Sequence, residues 1–147
     1  MKYIGIAGAQ SSTIHLMDAL IRKGYIIHYL INPGPEKAHM IADYQDLQGY
    51  SEKYDIKLVR PSNYTMKDDK TRLLFDGIII DILIVIGWQR LIPVWLLKKL
   101  SIGAFGMHGS SEPLPKGRGR SPMNWSIIEQ KEKFITNLFN YYGEHLV

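Results

Sequence analysis

The chain has 147 residues, of which 46% are hydrophobic and 22% charged, which suits one globular domain with a single core. It contains no cysteine, which excludes disulfide bonds, thiolate nucleophiles and cysteine-ligated zinc, and no apolar run could span a bilayer. The net charge of +4 is mild, whereas nucleic-acid binders more often carry a dense basic face. We therefore expect a cytoplasmic protein with neither membrane nor nucleic-acid partners.

The first half of the chain alternates short apolar segments with helix-compatible ones. Residues 3–7 predict a buried strand, and the amphipathic pattern after it predicts a helix that Ser11, Ser12 or Thr13 caps and that Gly24 ends. Next come, in order, a strand at residues 25–31, a helix-compatible stretch at 36–53, a strand at 55–59 and a helix at 67–75.

The second half continues the alternation. Residues 81–86 form an apolar, β-branched run of the kind that is buried on both faces of a parallel sheet. After it come a helix at residues 93–100, a strand at 103–107, a helix to about residue 130 and a strand at 134–139. Ser121 is predicted to cap the second of these helices, with Pro122 at its first position. This order predicts an α/β fold, Rossmann-like, with a mostly parallel sheet and helices on both faces. Ligands in such folds bind beyond the carboxyl ends of the strands.

The turn after the first strand, residues 5–10 (GIAGAQ), lacks the G-x-G-x-x-G dinucleotide fingerprint. A nucleotide-binding Rossmann protein of unrelated chemistry is therefore disfavoured. Backbone N–H groups here, with the hydroxyl of Ser11 or Ser12, could bind an anion at the helix start. We count Gln10, Ser11 and Ser12 as candidate substrate-binding residues. The alternative is that they only cap the helix.

His108 is the best catalytic candidate among the five histidines. It follows a predicted strand, precedes Gly109 and Ser110, and lies where active sites of α/β proteins form. A histidine there can act as general acid or base, or donate a hydrogen bond to a developing oxyanion. Because loop histidines are more often structural, the hypothesis depends on this setting.

Two motifs resemble those of the folate-dependent formyltransferases. Residues 106–122 (GMHGSSEPLPKGRGRSP) resemble the active-site signature of that family, which reads Asn-x-His, a Ser-Leu-Leu-Pro-like turn, then Arg-Gly and a helix. Residues 87–93 (GWQRLIP) resemble its folate loop, and residues 53–61 its approach to the third strand. The family includes methionyl-tRNA, glycinamide ribonucleotide and nucleotide-sugar formyltransferases. The sequence of residues 117–122 (GRGRSP) resembles the last group most.

The resemblance implies transfer of a formyl group from 10-formyltetrahydrofolate to an amine, without a metal. Backbone groups of the folate loop would hold the pteridine ring, and His108 would assist attack of the amine, stabilise the tetrahedral intermediate and help move its proton. The alternative for this loop is an ordinary strand-to-helix connection with Trp88 in the core. The candidate folate-binding residues are Trp88, Gln89, Arg90, Leu91 and Ile92.

A basic cluster of Lys116, Arg118 and Arg120 precedes the predicted helix start at Ser121 and Pro122. Side-chain charge and helix dipole would both favour a phosphate or diphosphate there. By the resemblance, the acceptor would be a nucleotide-linked amino sugar. The alternative is a solvated basic loop.

The chain departs from the family pattern in two places. Gly106 stands where the family has a catalytic asparagine, and it offers no side-chain donor; Asn124 could replace that donor only if the fold brings it close. The family's later catalytic aspartate also has no counterpart, because no aspartate follows Asp81, although Glu144 could stand in.

These departures lead to a hypothesis about the whole chain. Residues 1–147 are predicted to be a formyltransferase N-terminal domain that is incomplete at its C-terminus, with weakened or lost catalysis. The alternative is a catalytically inactive ligand-binding or interaction domain derived from the same fold. Uncovered apolar surface or an open sheet edge would favour a homo-oligomer.

Overall fold

The computed structural model describes residues 1–142 and the strand at His145–Leu146. Its centre is one sheet with the strand order β3-β2-β1-β4-β5-β6-β7. The first five strands pair in parallel, β6 runs antiparallel to β5, and β7 antiparallel to β6. The strands are β1 (Ile4–Ala7), β2 (Tyr29–Ile31), β3 (Lys57–Val59), β4 (Ile82–Val85), β5 (Gly103–Ser110), β6 (Ile135–Tyr142) and β7 (His145–Leu146).

Short helices connect the strands and cover both faces of the sheet. One core holds Ile6, Leu30 and Met17 and packs against the first two helices. Alternate strand residues, such as Ala7 and Leu83, point to the opposite core, which includes residues from the third and fourth helices and their loops. The predicted mostly parallel α/β fold is thus confirmed. The helices are α1 (Ser11–Arg22), a 3₁₀ helix (Pro35–Met40), α2 (Gln48–Lys53), α3 (Asp69–Leu74), α4 (Val94–Leu97) and α5 (Pro122–Ile128).

Two predicted segments differ in the structure. The second strand begins only at Tyr29, because Tyr25 and Ile26 are exposed before it rather than buried in the sheet. Residues 36–53 do not form one helix, because Asn32 ties the middle of this segment to the sheet. Its Nδ2 donates to the carbonyl of Gln45 at 3.2 Å, and its Oδ1 accepts the N–H of Leu47 at 3.1 Å.

The last described strand and helix leave apolar side chains on the surface. Leu138 of β6 is 73% exposed, and Ile127 and Ile128 of α5 are 70% and 68% exposed. These exposed side chains agree with the uncovered apolar surface that the sequence predicts. Self-association stays a prediction. None of the helices in the described part of the chain combines the length and apolarity that crossing a bilayer requires.

Candidate active site

A cleft of about 480 Å³ lies at the carboxyl edge of the parallel strands. It is formed where the 87–92 loop meets β5, β6 and the start of α5, so both sequence motifs contribute to it. This is the edge at which α/β folds bind ligands. The residues that line it are Trp88, Gln89, Arg90, Leu91, Met107, His108, Gly119, Arg120, Ser121, Pro122, Phe139 and Tyr141.

His108 lies inside β5 and not after it, so the predicted end of this strand at residue 107 is wrong. Pairing with β4 stops at Gly106, but β6 continues the ladder to Ser110. His108 pairs there with Asn137, whose Nδ2 donates to the His108 carbonyl at 3.2 Å. The imidazole therefore projects from rigid backbone just beyond the parallel part of the sheet.

A hydrogen bond selects the tautomer of the neutral His108 ring. Its Nε2 lies 2.8 Å from the carbonyl oxygen of Gly117. Because a carbonyl can only accept, Nε2 carries the proton, and Nδ1 of the neutral ring is the nitrogen with a free lone pair. The structure favours glycine at position 117, since a Cβ there would lie 1.9 Å from the Ser110 Oγ and 2.3 Å from the backbone oxygen of Glu112.

Trp88 belongs both to the core and to the cleft. Only 9% of it is exposed, and its ring packs edge-on against Tyr64 with centroids 4.8 Å apart. Among the described residues, its buried Nε1–H has no hydrogen-bond partner. A buried unpaired donor costs about 1–3 kcal/mol, so this group suits an acceptor atom of a bound ligand.

The rest of the predicted folate loop is partly engaged within the protein. The Gln89 N–H donates to the Tyr64 hydroxyl at 2.8 Å, and the Arg90 guanidinium donates to the Gln89 carbonyl at 3.1 Å. Leu91 is 48% exposed at the cleft, whereas Ile92 is 1% exposed in the core and is not among the lining residues. The structure therefore brings Trp88, Gln89, Arg90 and Leu91 to the cleft, without Ile92.

The basic cluster lines a second, adjoining cleft of about 390 Å³. Arg120 lines both clefts, and the Nε of Arg118 donates to the Pro115 carbonyl at 2.9 Å. The basic side chains outnumber the acidic ones, so an anion is favoured there. The basic lining residues are Lys116, Arg118, Arg120 and Lys131, and the acidic ones are Glu112 and Glu129.

The predicted cap of the helix after this cluster is wrong in part. Pro122 occupies the first turn of α5 as expected, but the Ser121 side chain makes no capping hydrogen bond. Ser121 has a φ of 53°, the left-handed region, whereas a capping serine is normally extended. With seven residues, α5 is also too short for its dipole to add much to the side-chain charges.

The start of α1 already holds an anion from the chain itself. The Ser11 N–H donates to the Asp43 carboxylate at 2.9 Å, and the Ser11 hydroxyl bonds to the same oxygen. These bonds lower the pKa of Asp43. Gln10 donates to the Ala42 carbonyl at 2.7 Å, and the Ser12 Oγ lies beside Gly87. The structure thus does not bring Gln10, Ser11 or Ser12 to the lining of the His108 cleft, and Asp43 would repel a second anion.

Gly106 has no room for a side chain as the structure stands. A Cβ there would lie 2.8 Å from Cε2 of Tyr141 and 2.9 Å from Cζ of Phe139. Asn124 is exposed on α5 and is not among the lining residues, so the fold does not bring it to the cleft. Glu144 lies outside the described residues.

Sequence reasoning missed the two aromatic residues of β6. Phe139 and Tyr141 both line the cleft, and both lie on the strand face that includes Asn137. The available sequence signal was the two-residue spacing of Phe139 and Tyr141, which places both on one face of a strand, but the predicted strand ended at Phe139. The described residues contain no group of three or more acidic or histidine side chains that could hold a metal.

Comparisons with known proteins agree with this fold. No family model matches the chain. Over 137 residues it is 29% identical to the methionyl-tRNA formyltransferase of Azobacteroides pseudotrichonymphae, covering 90% of this chain and 40% of that protein. It is 33% identical over 99 residues to the methionyl-tRNA formyltransferase of Flavobacterium psychrophilum, covering 65% of this chain and 29% of that protein. The chain thus spans well under half the length of these relatives.

Solved structures show the same fold. The phosphoribosylglycinamide formyltransferase from Bacillus halodurans matches with a TM-score of 0.68 and 17% identity over 99% of this chain and 74% of that one. A formyltetrahydrofolate deformylase from Pseudomonas syringae matches with a TM-score of 0.69 and 16% identity, covering 98% of this chain and 47% of that one.

The fold is therefore that of an α/β domain of formyltransferase type. The sequence relatives identify the group more closely and confirm the resemblance: the chain is related to the folate-dependent formyltransferases. None of the four relatives described above is named as a nucleotide-sugar enzyme.

Proposed function

We propose that this chain transfers a formyl group from 10-formyltetrahydrofolate to an amine. The observation that carries the proposal is the meeting of the folate-like loop and His108 in one cleft at the carboxyl edge of the sheet. The relatives named as formyltransferases support the reaction class. The cleft volume of about 480 Å³ also falls within the range of ligand pockets.

Trp88 and His108 would have different tasks in this reaction. The unpaired indole N–H of Trp88 would donate to an acceptor atom of the folate and so help to orient it. The free lone pair on Nδ1 of His108 would accept a proton from the amine. The Gly117 carbonyl accepts from Nε2 both in the neutral ring and in the imidazolium that forms when Nδ1 takes the proton, so it keeps the ring oriented throughout.

The proposed reaction conserves atoms and charge. The amine nitrogen forms a bond to the formyl carbon, and the carbonyl oxygen takes up negative charge. The bond from N10 to the formyl carbon then breaks as the carbonyl re-forms. N10 receives the proton that the amine released through His108, so the products are a formylated amine and tetrahydrofolate.

The acceptor is proposed to carry phosphate, as a nucleotide-linked amino sugar does. Lys116, Arg118 and Arg120 line the cleft that adjoins His108, and Arg120 lines both clefts. An acceptor bound by its phosphates in the second cleft would reach the first with its amine. Charge-assisted bonds from arginine are well suited to phosphate oxygens.

The proposal is tested first by folate binding and then by turnover. Calorimetric titration with 5-formyltetrahydrofolate, a stable relative of the donor, should show saturable binding accompanied by a change in tryptophan fluorescence. Absence of binding to a chain that circular dichroism shows to be folded would contradict the proposal.

Formyl transfer to a nucleotide-linked amino sugar, compared with transfer to glycinamide ribonucleotide and to methionyl-tRNA, would then identify the acceptor. Preference for either of the latter two would contradict the amino-sugar assignment.

One observation favours a second candidate function. The aromatic rings of Tyr141 and Phe139 fill the space beside Gly106, so that position cannot supply a side-chain donor. A ligand-binding domain without catalysis is compatible with this arrangement. It would bind the folate but produce no tetrahydrofolate, and it would tolerate loss of the His108 imidazole.

A further inference from the structure

Tyr141 places a hydroxyl group beside the strand that carries His108. Its Oη lies 3.1 Å from the point that a Cβ on Gly106 would occupy. Residues 106 and 108 are two apart on one strand, so they share a face and their Cα atoms are roughly 7 Å apart. The phenol and the imidazole therefore flank a space large enough for one reacting centre, and both residues line the cleft.

The hydroxyl is held in position by packing. The Tyr141 ring packs against Phe139 with centroids 4.9 Å apart and joins the main core as a partly buried residue. No hydrogen bond links this hydroxyl to any group in the described residues. Its O–H is therefore available to a ligand, while the ring is held by Phe139 and the main core.

The hydroxyl also remains protonated under ordinary conditions. Burial raises the pKa of Tyr141 to about 12. Near neutral pH it is a hydrogen-bond donor and not a phenolate that would repel negative charge. A neutral donor in a partly buried position is the kind of group that stabilises a developing oxyanion.

We propose that Tyr141 donates the hydrogen bond that stabilises the negative charge on the formyl oxygen when the amine attacks. This rests on the proposed function and assigns one of its steps to a residue. As the new C–N bond forms, the carbonyl electron pair moves onto oxygen, and the Tyr141 O–H donates to it. When the carbonyl re-forms, the bond to N10 breaks and the phenol keeps its own proton throughout. Gly106 is then the residue that leaves room for this ring.

The decisive variant is Tyr141→Phe, which keeps the ring and its packing and removes only the hydroxyl. Loss of one oxyanion donor lowers kcat by about 100-fold or more. We expect that loss with 5-formyltetrahydrofolate affinity unchanged within about threefold. An unchanged kcat would overturn the proposal. So would a loss of folate affinity as large as the loss of kcat, because it would reveal a packing role.

The second test moves the hydrogen-bond donor from Tyr141 to position 106. Gly106 does not have a positive φ, and the three atoms nearest to an added Cβ belong to the rings of Tyr141 and Phe139. Tyr141→Ala should lose kcat as Tyr141→Phe does. Adding Gly106→Asn should recover at least about tenfold of it, because the amide would take the space of the Tyr141 ring while the outer end of the Phe139 ring, 2.9 Å from the new Cβ, shifts to make room. A folded double variant that binds folate without recovering activity would count against the proposal.

The failure of this inference can be distinguished from failure of the proposed function. If the unaltered chain transfers no formyl group to any acceptor, the proposed function fails and the role of Tyr141 with it. If the unaltered chain is active and Tyr141→Phe matches it, formyl transfer stands and only the role of Tyr141 is rejected.

Discussion

The Nε2 atom of His108 and the carbonyl oxygen of Gly117 lie 2.8 Å apart, although nine residues separate them in the chain. This bond fixes the loop that carries the basic cluster to the strand that carries the imidazole. Packing of Gly117 against Ser110 holds the loop in the same place. The orientation of the His108 ring and the position of the basic cluster therefore depend on the same loop.

His108→Gln separates an enzyme from a binding domain. The glutamine amide can still donate to the Gly117 carbonyl, but it has no basic nitrogen, so kcat should fall by about 100- to 10,000-fold. Affinity for 5-formyltetrahydrofolate should change little. His39→Gln, on the exposed part of the 3₁₀ helix, is the matched control and should keep full activity. Tetrahydrofolate release reports turnover. Equal, measurable rates for the two variants would show that His108 is not the catalytic base, whereas folate binding without release by either variant or by the unaltered chain would favour the non-catalytic domain.

Trp88→Phe tests the unpaired indole N–H. The change removes a donor that has no protein partner in the described structure, so folate affinity should fall by up to about tenfold, the value of one hydrogen bond. Trp95→Phe is the matched control, because its Nε1 donates to the Met66 carbonyl at 2.8 Å, away from the cleft. That variant should lose thermal stability and keep folate affinity. Calorimetry and thermal melts measure both, and equal affinity in both variants would contradict a folate contact at Trp88.

Arg120→Ala tests the junction between the two clefts. If Arg120 binds an acceptor phosphate, loss of a charge-assisted bond should raise the acceptor KM by about 10- to 100-fold, with the KM for the folate nearly constant. Lys23→Ala is the matched control, because Lys23 is exposed at the end of α1 and lines neither cleft, so the acceptor KM should stay unchanged. Steady-state kinetics at two ionic strengths should show weaker salt dependence for Arg120→Ala. An unchanged acceptor KM would place the phosphate elsewhere.

The sheet could be predicted from sequence because its strands are short apolar runs between turn residues. β1 and β4 were found within a residue or two for this reason. The order of strands and helices then placed the 87–92 loop and His108 at one edge of the sheet. The break in residues 36–53 could not be predicted, because it depends on hydrogen bonds between the side chain of Asn32, just after β2, and the backbone of Gln45 and Leu47.

The details of the candidate site depended on contacts between distant segments. Asp43 reaches the start of α1 from a position 32 residues further on, which no local pattern indicates. The rings that fill the space beside Gly106 come from β6, and their approach depends on the register between β5 and β6. A sequence motif shows that residue 106 is a glycine. It does not show which side chains lie beside that glycine, because Phe139 and Tyr141 reach it only in the folded chain.

Asp68→Ala tests a carboxylate whose ionisation stabilises the fold. Asp68 caps α3 by accepting the Thr71 N–H at 2.9 Å, and hydrogen bonding from the Ser62 hydroxyl is the main reason that its pKa falls to about 2. Because the folded-state pKa is lowered, the stabilisation is complete above the unfolded pKa of about 3.9 and is lost as pH falls through about 2. The variant should therefore melt a few degrees below the unaltered chain at pH 7. That difference should shrink between about pH 4 and pH 2, as thermal melts across this range would show.

The control is Asp69→Ala, one residue along in the same helix turn, which lacks the capping bond and should show neither effect. A difference in melting temperature that stays constant down to pH 2 would show that the Asp68 carboxylate is not stabilised in this way.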